Sequence, residues 1–410
     1  MSLLSVDEAR ARILSHFQAV ETETLPFVEC ATRVLAEDIA ATTELPPFDN
    51  SSMDGFAIRA ADVANATDTS PRSLRVIADI PAGASPTISL TSGDAARIMT
   101  GAPVPDGADA VVPVENTDFN NRDAGSVAPE SVMINKSVHH GENIRPRGMD
   151  IRAGEVVLHK GRLLKPQDLG LLAMLGYANI SVYRKARVAL FSSGNELLEV
   201  GAPLESGKIR DSNSYTLAAL IEEAGAEVSR LGVAKDDRES VKSLLDKAVD
   251  HNVDLILSSA GVSVGAFDFV KEVIEANGKM DFWRVNMRPG KPLAFGEYKN
   301  IPFIGLPGNP VSAFVGFEVF VRGVIGTLNG MYNGGRRKVR VRCAEQIDSD
   351  GRESYLRAQV NEEDGALVAH LTGHQGSGNL HSLVQANALL IIPAGVKCVP
   401  AGQEVNAWLI

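Results

Sequence analysis

Apolar and polar residues recur with different periods along the chain, and each change of period marks a different kind of element. At the start, Val6, Ala9, Ile13 and Phe17 fall at helical spacing behind Ser5 and Glu8, an S-x-x-E pair suited to capping a helix N-terminus. A second short helix is predicted within ECATRVLAEDI (29–39). From about 46 to 160 the texture shortens to β-like runs such as SLRVIADI and DAVVPV, split by Gly, Pro and Asp. KPQDLGLLAML (165–175) restores helical spacing, with Pro166 placed for a first turn.

Residues 187–327 carry the clearest alternation. RVALFSS has the texture of a strand, and SYTLAALIEEAG that of a helix with Leu217, Leu220, Ile221 and Ala224 on one face. EVSRLGV, the helix ESVKSLLDKAV, the strand DLILSS and a helix near FDFVKEVIEANG follow. The strands DFWRVNM and PFIGLP and the helix PVSAFVGFEVFV complete the run. Strands alternating with helices predict a doubly wound, mostly parallel α/β sheet covered on both faces. From 337 onward KVRVRC, SYLRAQV, ALVAHL, ALLIIPA and EVNAWLI are purely β in pattern and predict a small barrel or sandwich.

Composition acts mainly by exclusion. A chain of 410 residues exceeds one comfortable core, so several domains are expected, and 44% hydrophobic with 22% charged residues is ordinary globular composition. A formal charge of −11 argues against a nucleic-acid partner, whose phosphates call for clustered Lys and Arg. An anionic small ligand would then need a local cationic pocket or a bound metal. Cys30, Cys343 and Cys398 form no C-x-x-C pair, which speaks against a disulfide framework or a cysteine zinc site and fits a reducing cytosol. MSLLSVDEAR has no apolar signal core, and the apolar stretch around GLLAMLG is too short to span a bilayer. The expectation is a cytoplasmic protein without a membrane or nucleic-acid partner.

In an open parallel sheet, ligands bind beyond the carboxyl ends of the strands. The segments there are SSGNEL (192–197), KDDRES (235–240), SSAGVSVGAFD (258–268), MRPGKP (287–292) and GLPGNP (305–310). Together they supply Glu196, Asp236, Asp237, Asp268, Arg288 and Lys291. The small residues Gly261, Val262, Ser263 and Gly265 suit an anion at a helix N-terminus, although such a loop taken alone is more often tight strand–helix packing. Neither a Walker A loop nor a G-x-G-x-x-G fingerprint is present. Arg288 and Lys291 suit phosphate or carboxylate, or a solvated basic turn. Glu196 suits Mg²⁺ or a helix cap, and Asp236 and Asp237 suit helix starts. Pro307 and Asn309 precede a helix that begins at Pro310, with Asn309 as N-cap. PPFDNSSMDGF (46–56) packs Asp49, Asn50, Ser51, Ser52 and Asp54 into one turn, more polar groups than a turn needs. GENIRPRGMD (141–150) gathers Arg145 and Asp150, and a surface salt-bridge loop accounts for it equally.

Taken with GDAARIMTGAPVPDGADAVV, IRDSNSY and GHQGSGNLHSLVQANALLIIP, these segments resemble the molybdopterin molybdenumtransferase (MoeA) family, which includes the gephyrin E domain. The resemblance runs in order through nearly the whole chain. It implies a helical linker domain from 1–45 and 146–180, an inserted β-rich domain at 46–145, an α/β molybdopterin-binding domain at 181–328 and a C-terminal β-barrel at 329–410. It implies a homodimer in which PPFDNSSMDGF completes the cleft of the partner subunit. It also implies a reaction: molybdate enters adenylylated molybdopterin, the adenylyl bond is hydrolysed with Mg²⁺, and AMP and molybdenum cofactor leave. On this resemblance Asp54, Glu196, Asp237 and Asp268 serve the metal and the oxyanion, and Arg288 and Lys291 hold phosphate or molybdate. Gly261, Val262, Ser263 and Gly265, with Ser52, Pro307 and Asn309, line the substrate. The preceding molybdopterin adenylyltransferase and molybdoenzyme-maturation proteins are the implied partners. The chain departs from the family in Ala260 beside Gly261, in Arg288 where lysine is common, and in Asn195 where an acid or serine is frequent. Two rival functions are an adenylyltransferase, which the extra domains oppose, and a gephyrin-like scaffold without catalysis.

Overall fold

In a computed structural model, residues 3–119, 126–259, 266–332 and 334–410 are described, and among them strands and helices alternate from 187 onward as the pattern predicts. Six strands form one sheet: β1 (Arg187–Ser193), β2 (Glu227–Ala234), β3 (Leu255–Ser259), β4 (Gly278–Arg284), β5 (Pro292–Tyr298) and β6 (Ile301–Leu306). Their order is β2-β1-β3-β6-β5-β4. The pairs β2–β1, β1–β3 and β3–β6 are parallel, while β5 is antiparallel to both neighbours. β5 is a strand that the sequence pattern did not announce. It lies within KPLAFGEY, where Gly296 and the flanking Pro and Lys blur the alternation. Since β5 alone is reversed, β4 and β6 point the same way as the parallel set, and their carboxyl ends share one rim.

Both faces of the sheet are covered. Val188, Leu190, Leu255 and Leu257 pack with helix Asn213–Glu223 and the helical run Pro310–Leu328 in one core. Ala189, Phe191 and Ile256 pack with helices Arg238–Asp250 and Ala266–Glu275 in the other. Strands buried on both sides read as continuous apolar runs, which is why RVALF and DLILSS are legible as core strands. Pro310–Leu328 has the length and hydropathy of a membrane span, yet 89% of that window is buried within the protein, so its apolar surface is spent on the core.

The C-terminal strands close on themselves. Glu353–Glu363, Ala366–Leu371, Lys338–Cys343, Glu404–Leu409 and Ala388–Ile392 pair in that order, and the last pairs back to the first. This is a five-stranded barrel, which decides between the barrel and sandwich left open by the pattern. Met287–Arg288 adds to it beside Glu353–Ser354, so the segment after β4 is stitched to the barrel. The N-terminal helix is Val6–Leu14, with the Ser5–Glu8 capping box formed in both directions.

The predicted helix at 29–39 does not form. Thr32 has φ 63°, Val34 bridges Leu163, and the Leu35 and Ala36 amides donate to Arg162 and Ser181 carbonyls. Pairing with neighbouring strands outweighs a modest local helix preference.

Residues 38–159 and 171–176 form a second compact unit, whose borders lie outside the expected 46–145 because Ile39–Ala40 pairs with Val156–Leu158. Its five-stranded sheet has the order Ala110–Pro113, Gly55–Ile58, Asp94–Ile98, Arg72–Ile80, Ser131–Ile134. Gly55 is required at the centre, since a Cβ there would fall 2.0 Å from the Val112 carbonyl oxygen.

Candidate functional site

At the carboxyl rim of the β1–β6 sheet lies a cavity of about 780 Å³. Each of the five rim segments contributes to its wall: Glu196, Asp236, Ser259, Pro292 and Pro307 with Asn309. The volume is that of a small-molecule site.

Two helices begin at this wall. Asn213 opens helix Asn213–Glu223, and its side-chain amide donates to the Ser259 hydroxyl and the Gly308 carbonyl, both at 2.7 Å. One buried side chain thus ties two rim segments to the start of this helix. The Asp211 carboxylate accepts the Ser214 amide at 3.1 Å and ends the approach to that helix. Pro310 opens the second helix with Asn309 at its N-cap position, but the Asn309 side chain makes no capping bond and stays exposed at the cavity. Helix starts present unspent amides and the positive end of the dipole, a setting for an anion.

The polar floor is short of partners. Ser192 Oγ, Ser193 Oγ and Asp236 Oδ1 are buried without a hydrogen bond among the described residues. Asp236 uses its other oxygen to accept the Asn195 amide at 3.1 Å. Buried polar atoms are nearly always satisfied, so such a set at one cavity marks a place where a ligand completes the bonding. Glu196 follows Gly194, whose φ is 149°; a Cβ at that position would meet the Glu196 carboxylate at 2.5 Å, so glycine lets the acid fold back over the loop.

The remaining expected site residues take other places. Asp237 is a structural acid: it is the N-cap of Arg238–Asp250 and accepts the Ser240 amide at 2.7 Å, and it is Asp236 that lines the cavity. Arg288 is 3.9 Å from Asp350 and Lys291 is exposed, and neither lines this cavity. Asp268 belongs to helix Ala266–Glu275, its side chain lying outside the described part of the structure; Gly261, Val262, Ser263 and Gly265 lie outside the described residues. In the second unit, Asp54 accepts the amide and hydroxyl of Thr100 at 2.7 and 2.8 Å, Asp49 accepts the Arg147 amide, and Ser52 donates its amide to Asn143. Part of the polar excess in PPFDNSSMDGF is therefore consumed in holding the loop. Among the described residues, no three His, Cys, Asp or Glu gather to hold a metal.

The barrel contributes an arginine that sequence reasoning did not single out. Arg357 is wholly buried, donating to the carbonyls of His374, Gln375 and Gly376 and to Ser382 Oγ. It shapes the GHQGSG loop, whose Gly378 reaches the cavity and whose Ser377 carbonyl accepts the Val311 amide. Burial, with Arg288 nearby, pushes its guanidinium down to about 10. No sequence signal distinguishes it from the other arginines of the β-rich tail; Asp211 and Asn213 were legible only as part of IRDSNSY.

Comparison with known proteins agrees with this architecture part by part. Residues 4–176 match the MoeA N-terminal region (domains I and II), 189–327 the probable molybdopterin binding domain, and 340–410 the MoeA C-terminal region (domain IV). Molybdopterin molybdenumtransferase 2 of Mycobacterium tuberculosis is 40% identical over 98% of this chain and 99% of its own length. The Bacillus subtilis molybdopterin molybdenumtransferase is 37% identical over 99% of this chain and 94% of its own. The crystal structure of the molybdopterin biosynthesis moeA protein from Pyrococcus horikoshii OT3 superposes with a TM-score of 0.85 at 32% identity, covering 100% of both chains. The chain, with its rim cavity and closed C-terminal barrel, belongs to the molybdopterin molybdenumtransferase (MoeA) family.

Proposed function

We infer that this chain is the transferase that inserts molybdate into molybdopterin in molybdenum cofactor biosynthesis. The observation that carries the reading is the rim cavity, where two helix starts, unbonded serine hydroxyls and the half-bonded Asp236 carboxylate share one wall. Substrate phosphate and molybdate are both anions. The helix-start amides and the Ser192 and Ser193 hydroxyls are donors for them, and the exposed Asn309 amide adds another. Asn213 keeps the rim segments in register so that these donors converge.

The donor set fits Mg²⁺, which takes one or two carboxylates and completes its shell with substrate phosphate and water. Glu196 and Asp236 are the residues that would hold it, with Asp268 and Asp54 as further carboxylates. When bound, the ion offsets the repulsion between phosphate and molybdate and polarises the phosphoryl group. Substrate is the adenylylated form of molybdopterin, and insertion is coupled to release of AMP. Arg288 and Lys291 serve the incoming oxyanion. The protein works in the cytoplasm as a homodimer, with PPFDNSSMDGF completing the partner subunit's cleft.

The test is AMP release from adenylylated molybdopterin in Mg²⁺, with and without molybdate. Release that depends on molybdate and falls about 10²-fold in Asp236→Asn is the expected result. Tight substrate binding with no release in either condition would make the protein a carrier or scaffold. Mixing Asp54→Asn and Glu196→Gln subunits tests the shared cleft: mixed dimers should regain activity that neither variant has alone.

A further inference from the structure

Among the described residues, the wall of the rim cavity has one cationic side chain. Arg210 lines it together with Glu196, Asp211 and Asp236, and forms an ion pair with none of them. Its hydrogen bond within the described residues runs to the Ala202 carbonyl at 3.3 Å, so most of the five donors of the guanidinium are unspent. Two of the acids are already engaged: Asp211 accepts the Ser214 amide, and Asp236 the Asn195 amide.

Arg210 stands at the foot of an arch. Leu197–Leu198 pairs parallel with Ile209–Arg210, and residues 199–208 span from one to the other. No residue from 195 to 210 is buried, and the aliphatic side chains of Val200, Leu204 and Ile209 are 50%, 63% and 57% exposed. The fastenings are local. The Ile209 amide donates to Glu196, the Asp211 amide to Leu198, the Lys208 amide to Glu205 and the Lys208 ammonium to Asn195, all at carbonyls. An element with no buried side chain and only local hydrogen bonds lies at the low end of local stability, from which ligand-covering segments are drawn. Ile209 belongs to the cavity wall while more than half exposed, so a ligand there would cover apolar surface that the arch leaves wet.

We propose that the arch 197–210 closes over the loaded rim cavity and that Arg210 binds a phosphate of the substrate. Both depend on the rim cavity being the substrate site. The helix starts and serine hydroxyls supply neutral donors from the floor. Arg210 supplies the positive charge from above, in a planar fork that matches two phosphate oxygens. Closure displaces water from around that pair and so strengthens it.

Hydrogen exchange of the full chain with adenylylated molybdopterin, without molybdate, tests this. Substrate should slow exchange over 197–210 about tenfold or more in the unaltered protein. Arg210→Ala should abolish the slowing even at saturating substrate, and lower kcat/KM for AMP release about 10- to 100-fold, mostly through KM. Arg210→Lys keeps the charge without the fork and should fall between the two. Equal protection by AMP assigns the contact to the adenylyl phosphate; protection by the whole substrate alone assigns it to the phosphate on the molybdopterin side. Exchange that substrate leaves unchanged, or an unaltered KM in Arg210→Ala, would overturn the proposal. Molybdate-dependent AMP release by the unaltered protein scores the insertase reading separately. Protection that vanishes in Arg210→Ala upholds the arch even where no AMP is released.

Discussion

The Asp237 carboxylate accepts the Ser240 amide and starts a helix, whereas its neighbour Asp236 keeps one buried oxygen unbonded at the cavity. Sequence alone makes the pair interchangeable, because both precede the same helix; the strand end and the extended backbone of Asp237 separate their duties. Asp237→Ala should therefore lower stability by about 1 kcal/mol, as for loss of an N-cap, with turnover near that of the unaltered protein. Asp236→Asn should do the opposite, and thermal melts beside steady-state kinetics distinguish the two. A third acid is legible only in three dimensions. Asp246 accepts Lys242 Nζ at 2.6 Å, and Lys299 Nζ and the Tyr298 hydroxyl at 2.8 Å. The bond from Lys242, then that from Lys299, holds its carboxyl well below the usual range. The unfolded chain then binds this proton more readily than the folded one, so the contribution is complete above about pH 4 and is lost as pH falls further. Urea titrations should show Asp246→Asn less stable at pH 7, with the difference shrinking below about pH 4.

At the scale of elements, the helical run Pro310–Leu328 contains a π-turn at Phe317–Val321, where Glu318 is buried. Glu318 meets Arg322 at 2.7 Å and Arg336 at 2.9 Å, and Glu223 bridges the same two guanidinium groups. Removing the central anion leaves two largely buried cations with only the half-exposed Glu223 as partner. Glu318→Gln should cost roughly 3–5 kcal/mol, read as a fall in the denaturant midpoint. The i,i+4 pair Glu318–Arg322 is visible in sequence, but Arg336 and Glu223 come from other elements and are not. The same distinction explains the elements themselves. Helices with a sustained apolar face, such as Asn213–Glu223, form where predicted, because the face and the core agree. ECATRVLAEDI becomes extended because its amides find strand partners at Arg162 and Ser181. β5 escapes notice because Pro292 at its start and Gly296 within it blur the apolar alternation.

Across the whole molecule the cysteines report packing. Burial pushes the thiols of Cys30 and Cys343 up, and both are inaccessible, while Cys398 is exposed. A thiol reagent should find one fast-reacting group in the native protein and three in denaturant; three fast groups without denaturant would contradict the barrel and linker packing. The sequence by itself determined the alternating α/β core, the β-only tail and the family, because the periodicity of buried faces and the ordered motifs are local properties of the chain. It also pointed to the strand ends, where the structure has a cavity, since a mostly parallel sheet leaves its ligand-binding loops there. Only the tertiary structure decided that Asp236 and not Asp237 faces the cavity, that Asn213 locks the rim, that Arg288 turns toward Asp350, and that the tail closes as a barrel. Each of these depends on hydrogen bonds and charge pairs between residues far apart in the chain, and such pairings leave no period or spacing to read.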